Sequence, residues 1–190
     1  MTPPRIVLGS TSPYRRQVLD RLGIPFEVAA PDFDERQPLP PEVVTPTDIA
    51  LHLARGKARS VAARPELALA WVIGSDQIVE LDGELLHKPG TEDAAVAQLM
   101  RMAGRAHQLV TAVVVIAGGR VAEVVDTHRL HMRHLTEAQA RAYVAADQPL
   151  DCAGSYRIER RGIALFDHIE ADPECADDTA IMGLPLWKTV

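Results

Sequence analysis

Within the first thirty residues the hydrophobic spacing changes from that of a strand to that of a helix and back again. Arg5–Leu8 reads as a short buried strand that stops at Gly9-Ser10-Thr11. Ser12-Pro13 then opens a helix: Ser is a favoured N-cap, Pro suits the first helical position, and Val18, Leu19 and Leu22 supply the apolar face. Gly23 is placed to end it, and Phe26–Ala30 reads as the next strand. A chain that opens strand, small-residue turn, helix, strand is building a βα unit, and that restricts it to folds in which helices cover a sheet.

The rest of the chain agrees. The prolines at 31, 38, 40, 41 and 46 mark an exposed loop. Thr47 is read as the cap of a long helix in which Ile49, Leu51, Leu53, Ala54 and Ala58 recur at helical spacing. Leu69–Ile73 reads as a strand running into Gly74-Ser75-Asp76-Gln77, and Ile78–Leu81, Asp82-Gly83 and Glu84–Leu86 as a hairpin with an Asp-Gly turn. Thr91 caps a helix ending near Gly104, and Leu109–Ala117 and Val121–Val125 flank a second hairpin turn at Gly118-Gly119. A helix from about Thr136 to Ala146 and a Gly-containing segment around Gly154 follow. βα units mixed with hairpins imply an α/β fold with a mixed sheet, split into two lobes. At 190 residues this is one domain, with 47% hydrophobic residues to fill a core and only 4% aromatics, so aliphatic side chains must fill it.

The formal charge of -6 argues against nucleic acid or an anionic membrane as the main partner, because such partners call for a basic excess. No apolar run approaches the roughly 18 residues of a membrane span. No signal-peptide core follows Arg5, and Cys152 and Cys175, far apart, read as thiols of a reducing compartment. The expectation is a cytoplasmic protein.

Three segments carry candidate chemistry. In Gly9-Ser10-Thr11-Ser12-Pro13-Tyr14-Arg15-Arg16, helix N-terminal amides, hydroxyls and guanidinium groups together make a phosphate cradle. Taken alone, the same residues also describe a capped helix with solvated arginines. In Asp32-Phe33-Asp34-Glu35, carboxylates suit a hard cation such as Mg²⁺, or a solvated acidic loop. Asp76, straight after an apolar strand, is a candidate general base or metal ligand, or the support of a turn. Lys57 and Lys88 add positive charge, although Gly56-Lys57 sits in a helical pattern and no Walker A spacing or G-x-G-x-x-G occurs. His128, His131 and His134 are read as structural, since His128 and His131 on one strand point to opposite faces. Cys152 has no assignable partner base, and no G-x-S-x-G elbow is present.

In combination and in order, LGSTSPYRRQVL, DFDE, LARGKA, VIGSDQIV, LDGELLHKPGTEDA, GRAHQLVTAVVV, YVAADQPLDCAGSYRIERRG and IMGLPL resemble the Maf family of nucleoside triphosphate pyrophosphatases over nearly the whole chain. Family members usually continue past the GLPL segment with a helix, so the C-terminus is read as shorter than usual. The resemblance implies a single Maf-like domain over residues 1–190, with a mixed twisted sheet, flanking helices and two lobes around a central cleft, the Maf/ITPase-like arrangement. It also implies a homodimer. Ser10, Arg15, Arg16, Lys57 and Lys88 match phosphate-binding positions, Glu35 and Asp76 match the sites for a divalent cation (Mg²⁺ or Mn²⁺), and Asp76 matches the catalytic base. Three further positions match substrate selectors: Tyr14, Gln77 and Glu159. The branch acting on dTTP and UTP usually has Arg, Thr and Gln there. The residues in this chain look like the 7-methyl-GTP branch, although that branch commonly has Trp at the Tyr14 position. A cationic 7-methylguanine is attracted by an aromatic face, and a carboxylate accepts from its N1 and N2 donors. The expected reaction is hydrolysis of such a triphosphate to monophosphate and pyrophosphate. The alternatives are a dTTP or UTP pyrophosphatase and a non-catalytic nucleotide-binding regulator linked to septum formation.

Overall fold

Strand β1 (Ile6–Leu8) lies parallel to β2 (Glu27–Val28) and to β3 (Trp71–Leu81), with Val7 opposite both Glu27 and Val72. This is a computed structural model, and it describes residues 4–171 and 177–190. With β4 (Glu84–Leu86), β5 (Ala106–Ala117), β6 (Arg120–Met132) and β7 (Phe166–Ala171), the strands form one mixed sheet ordered β2-β1-β3-β5-β6-β7, with β4 pairing to β3. The expected α/β class with helices flanking a mixed sheet is therefore what the chain adopts. It divides into two compact units, the first Met1–Gln77, Thr111–Asp126 and Asp177–Val190, the second Ile78–Val110 and Thr127–Ala176.

In the first unit, α1 (Pro13–Asp20) begins as the sequence requires, with Ser12 accepting from the Arg15 amide and Pro13 in the first turn. Its apolar face, Val18 and Leu19, is buried with Leu8, Ile73, Val113 and Leu184. Helix α2 (Pro46–Ala62) starts two residues earlier than the sequence reading placed it. Thr45, not Thr47, is the cap, because Asp48 stands three residues on and closes a reciprocal capping box while Pro46 fits the first turn. The buried stripe of α2 is Ile49, Ala50, Ala54, Lys57, Ala58 and Val61, so small side chains bring the helix axis close to its neighbours. The Gly74-Ser75-Asp76-Gln77 segment corrects a second expectation: it lies inside β3, which runs unbroken from Trp71 to Leu81, rather than beyond a strand end. Alternate residues of a strand face opposite sides, so Ser75 and Gln77 share one face while Asp76 takes the other. The 178–182 turn is tied together by Asp177, which accepts from Thr179 N (3.0 Å) and Trp187 N (3.0 Å). The short α5 (Leu186–Thr189) follows.

In the second unit, Asp82 and Gly83 both take positive φ (52° and 83°), the primed turn that an Asp-Gly hairpin needs. Helix α3 (Glu92–Met102) is capped by Thr91 and packs against α4 (Glu137–Asp147), whose Thr136 and Gln139 form a capping box. Strand β7 was not expected from the sequence. Only Phe166 of its six residues is buried, so it lacks the apolar alternation that marks a strand, as suits a charged edge strand. No described helix is long and apolar enough to cross a membrane. Cys175, one of the two cysteines read as thiols, falls outside the described residues.

Candidate active site

The turn after β1 and the start of α1 hold the phosphate-binding candidates in different ways. Ser10 is buried, and its hydroxyl accepts from the Ser12 amide (3.2 Å) and from Arg15 Nη1 (3.3 Å). Arg15 turns inward and donates through Nε to the Gly183 carbonyl at 2.9 Å. Burial pushes the Arg15 guanidinium below its ordinary value, opposed by the negative charges of Asp76 and Glu35. Arg16, about 100° further round the helix, is exposed and sits only 3.9 Å from Asp20. The two adjacent arginines are thus unlike: Arg15 is fixed, Arg16 is solvated.

Gly183 is the unexpected member. Two donors converge on its carbonyl, Arg15 Nε and the fully buried Ser75 Oγ (2.8 Å). Its own φ of +95° is a conformation L side chains rarely take, and an added Cβ would stand 3.3 Å from Arg15 Nε. Gln77 ties down the same segment, its amide nitrogen donating to Ala180 O (2.9 Å), Ile181 O (3.1 Å) and Thr111 Oγ1 (3.0 Å). Thr111 in turn donates to Ala180 O at 2.9 Å. Read as a base selector, Gln77 has its donors committed to protein oxygens instead. The GLPL block enters the sequence reading only through a resemblance; in the structure its Gly183 carbonyl accepts from Arg15 and Ser75.

Lys57 and Asp76 meet at 2.5 Å, with side chains only 7% and 9% exposed. Lys57 Nζ also lies 3.0 Å from Glu35, whose side chain is half exposed. One ammonium group therefore stands between two carboxylates. Two glycines make this approach possible. At Gly74 a Cβ would be 2.6 Å from Ala54 O and 2.7 Å from Ala58 N, so hydrogen at this position lets α2 lie directly on β3 and bring Lys57 to Asp76. At Gly56 a Cβ would be 2.3 Å from the Phe33 ring, so the loop carrying Glu35 rests on bare helix backbone beside Lys57. Phe33 is further held edge-on to His52, with ring centroids 6.1 Å apart. The sequence signal for both was a glycine inside a regular apolar pattern, which marks close backbone approach. Among the described residues no hydrogen bond ends on Asp76 Oδ2.

Tyr14 is half-buried on α1. Lys88 and Glu159 belong to the second unit, and both are exposed. Glu159 lies in a tight turn where Arg160 N donates to Arg157 O (3.1 Å), and Arg157 N is anchored on the Tyr143 hydroxyl (2.8 Å). His128, His131 and His134 do not converge: His128 is buried, whereas His134 lies against Gly104.

The chain matches the family described as Maf-like protein over residues 5–190. It is 46% identical over 187 residues to a protein of Albidiferax ferrireducens named 7-methyl-GTP pyrophosphatase, covering 97% of this chain and 89% of that one. Relatives of the same name in Xanthomonas campestris pv. campestris (48% identical; 96% and 91% covered) and Bdellovibrio bacteriovorus (42%; 98% and 94%) are similar over as much of the chain.

Proposed function

The chain belongs to the Maf-like protein family, and from that premise we propose that it hydrolyses 7-methyl-GTP to 7-methyl-GMP and pyrophosphate. The observation that carries this reading is the buried Lys57–Asp76 pair with Glu35 at its open side and Arg15 fixed nearby on Gly183. A water oxygen bonds to the α-phosphorus, the bond from that phosphorus to the α,β-bridging oxygen breaks, and pyrophosphate leaves. Asp76 takes the proton of the attacking water on Oδ2, since among the described residues the Lys57 bond falls on Oδ1. Lys57 holds Asp76 in place through Oδ1 and puts positive charge where the phosphate charge develops.

Charge counting supports a divalent cation. Arg15 and Lys57 supply two positive charges, and Glu35 and Asp76 cancel both. A triphosphate with about four negative charges is then not attracted by this cluster alone. The donor set suits such a cation, because Glu35 and Asp76 bring hard carboxylate oxygens to either side of the Lys57 ammonium, with a further oxygen on each carboxylate for the ligand type Mg²⁺ or Mn²⁺ prefers. Bound there, the metal would neutralise phosphate oxygens and stabilise the departing pyrophosphate.

For the base, we assign Tyr14 to the cationic ring face and Glu159 to the N1 and N2 donors, and Lys88 and Arg16 to the outer phosphates. The case for Lys88 and Glu159 rests on the sequence blocks they occupy. Gln77 acts through the 180–183 segment, since its amide nitrogen is already engaged there. A homodimer is part of the same proposal, to be read by light scattering.

The test is a panel of 7-methyl-GTP, GTP, dTTP and UTP with Mg²⁺, products separated by chromatography. Fastest conversion of 7-methyl-GTP is expected; preference for dTTP or UTP would overturn the roles of Tyr14 and Glu159. Asp76→Asn should lower turnover by about 10²–10⁴-fold with nucleotide binding kept, the range for a lost general base. Glu159→Gln should narrow the preference for the methylated base, and an unaltered preference would remove Glu159 from the assignment.

A further inference from the structure

On the antiparallel pair β6–β7, His131 stands directly opposite His168, and Arg129 opposite Glu170. Residues 128, 130 and 132 of β6 are buried, so His131 lies on the other face of the strand, together with its cross-strand neighbours. There His131 Nε2 and His168 Nε2 both approach Glu170 Oε1, at 3.2 Å and 3.3 Å. The two imidazole rings stack with centroids 3.9 Å apart and planes 17° from parallel. The three potential donor atoms all lie within 4.8 Å of one another.

We propose that His131, His168 and Glu170 form a binding site for a late first-row divalent cation of the zinc class, bridging β6 and β7 in the second unit. Donors at about 2.0–2.2 Å from a tetrahedral zinc are separated from each other by roughly 3.4 Å. The two contacts to Glu170 match that spacing, and binding asks only that the stacked rings turn about their side-chain torsions until both Nε2 lone pairs, which lie in the ring planes, point at one cation. Strand pairing supplies the preorganisation: His131 and His168 are held by backbone register, and Glu170 reaches back from two residues along the same edge strand. His168 and Glu170 are each 56% exposed, which leaves water as the fourth ligand and an open path for entry. Two imidazole nitrogens and one carboxylate select zinc, nickel or copper over magnesium, which prefers an all-oxygen shell. Binding requires each Nε2 to present its lone pair, so any proton there passes to solvent as the metal–nitrogen bond forms. Arg129, exposed and opposite Glu170, is a cation that the β6–β7 register places beside the site, and it opposes the incoming charge. These residues are separate from the Lys57–Asp76 cluster, so this proposal stands or falls independently of the hydrolytic reading.

The experiment is calorimetric titration of chelator-treated full-length protein with zinc chloride in millimolar Mg²⁺, which occupies oxygen-only sites. One zinc per chain is expected. His168→Gln and Glu170→Gln should each weaken it at least tenfold, Arg129→Gln should tighten it, and Mg²⁺-supported turnover should not change. Zinc should also raise the Tm of the unaltered protein but not of His168→Gln, which reports the site even if one variant is poorly soluble. No zinc uptake, or uptake of equal affinity in His168→Gln, would overturn the assignment.

Discussion

Replacing Lys57 by Met tests whether the buried pair is the structural centre of the site as well as its chemical one. Met keeps most of the aliphatic stem and removes the ammonium, leaving the Asp76 carboxylate, 9% exposed, with no cation at 2.5 Å. Breaking a buried pair from one side costs about 3–5 kcal/mol, because the remaining charge is desolvated without a partner. The lost contact to Glu35 adds little, since that side chain is half exposed and solvent screens it. The small exposed fraction of Asp76 lets some water relieve the charge, so the lower end, about 3 kcal/mol, is expected. For a chain of this size that corresponds to a Tm lower by about 6–12 °C, followed by circular dichroism. The decisive comparison is Lys57→Met/Asp76→Asn, in which no charge is left behind. It should recover to within about 1 kcal/mol of the unaltered protein while remaining inactive. A Lys57→Met protein that loses less than about 1 kcal/mol, or a double variant no more stable than the single, would refute the argument.

Gly74→Ala should cost about 1–3 kcal/mol, because the atoms it meets are α2 backbone and cannot rotate away. It should also lower kcat at least tenfold by drawing Lys57 off Asp76, and near-normal stability and turnover together would show that α2 has slack. Burial holds His107 down at about 4, helped by nearby His131, while the unfolded chain titrates near 6.5. Its contribution to stability is therefore complete above about 6.5 and is lost as pH falls toward 4. Unfolding free energies from urea titrations should fall between pH 7 and 4.5 by about 2.5 kcal/mol more for the unaltered protein than for His107→Gln, and parallel losses would contradict the assignment.

Much of the fold was written in local sequence. Ser12-Pro13, Thr91 and Thr136 cap helices where their side chains and successors dictate, and Asp82-Gly83 makes the hairpin its left-handed conformations allow. These signals act within a few residues, so the chain alone carries them. Where two local signals competed, at Thr45 and Thr47, the reciprocal bond from Asp48 decided, and that too lies within one turn. The candidate residues were also legible as types: a hydroxyl and arginines at a helix start, a carboxylate in an apolar strand, an acidic loop.

What the sequence did not hold was which of these residues meet. Arg15 and Arg16 are adjacent and chemically alike, yet only Arg15 turns onto Gly183, which lies 168 residues further along the chain. Asp76 lies inside a strand rather than past its end, and it finds Lys57 because Gly74 lets a helix rest on the sheet. Sequence spacing groups His131 with His128 and His134, whereas its neighbours in space are His168 and Glu170 across a strand pairing. The sequence by itself determined the capped helices, the chain reversals and the inventory of chemical groups, because capping, turn conformation and hydrophobic period are properties of short segments, whereas the edge strand β7 and the unbroken run of β3 through Asp76 depended on pairing with other strands. The tertiary structure alone decided which groups share a point in space, because strand register and helix–sheet approach are set by packing between segments that the chain brings together only when folded.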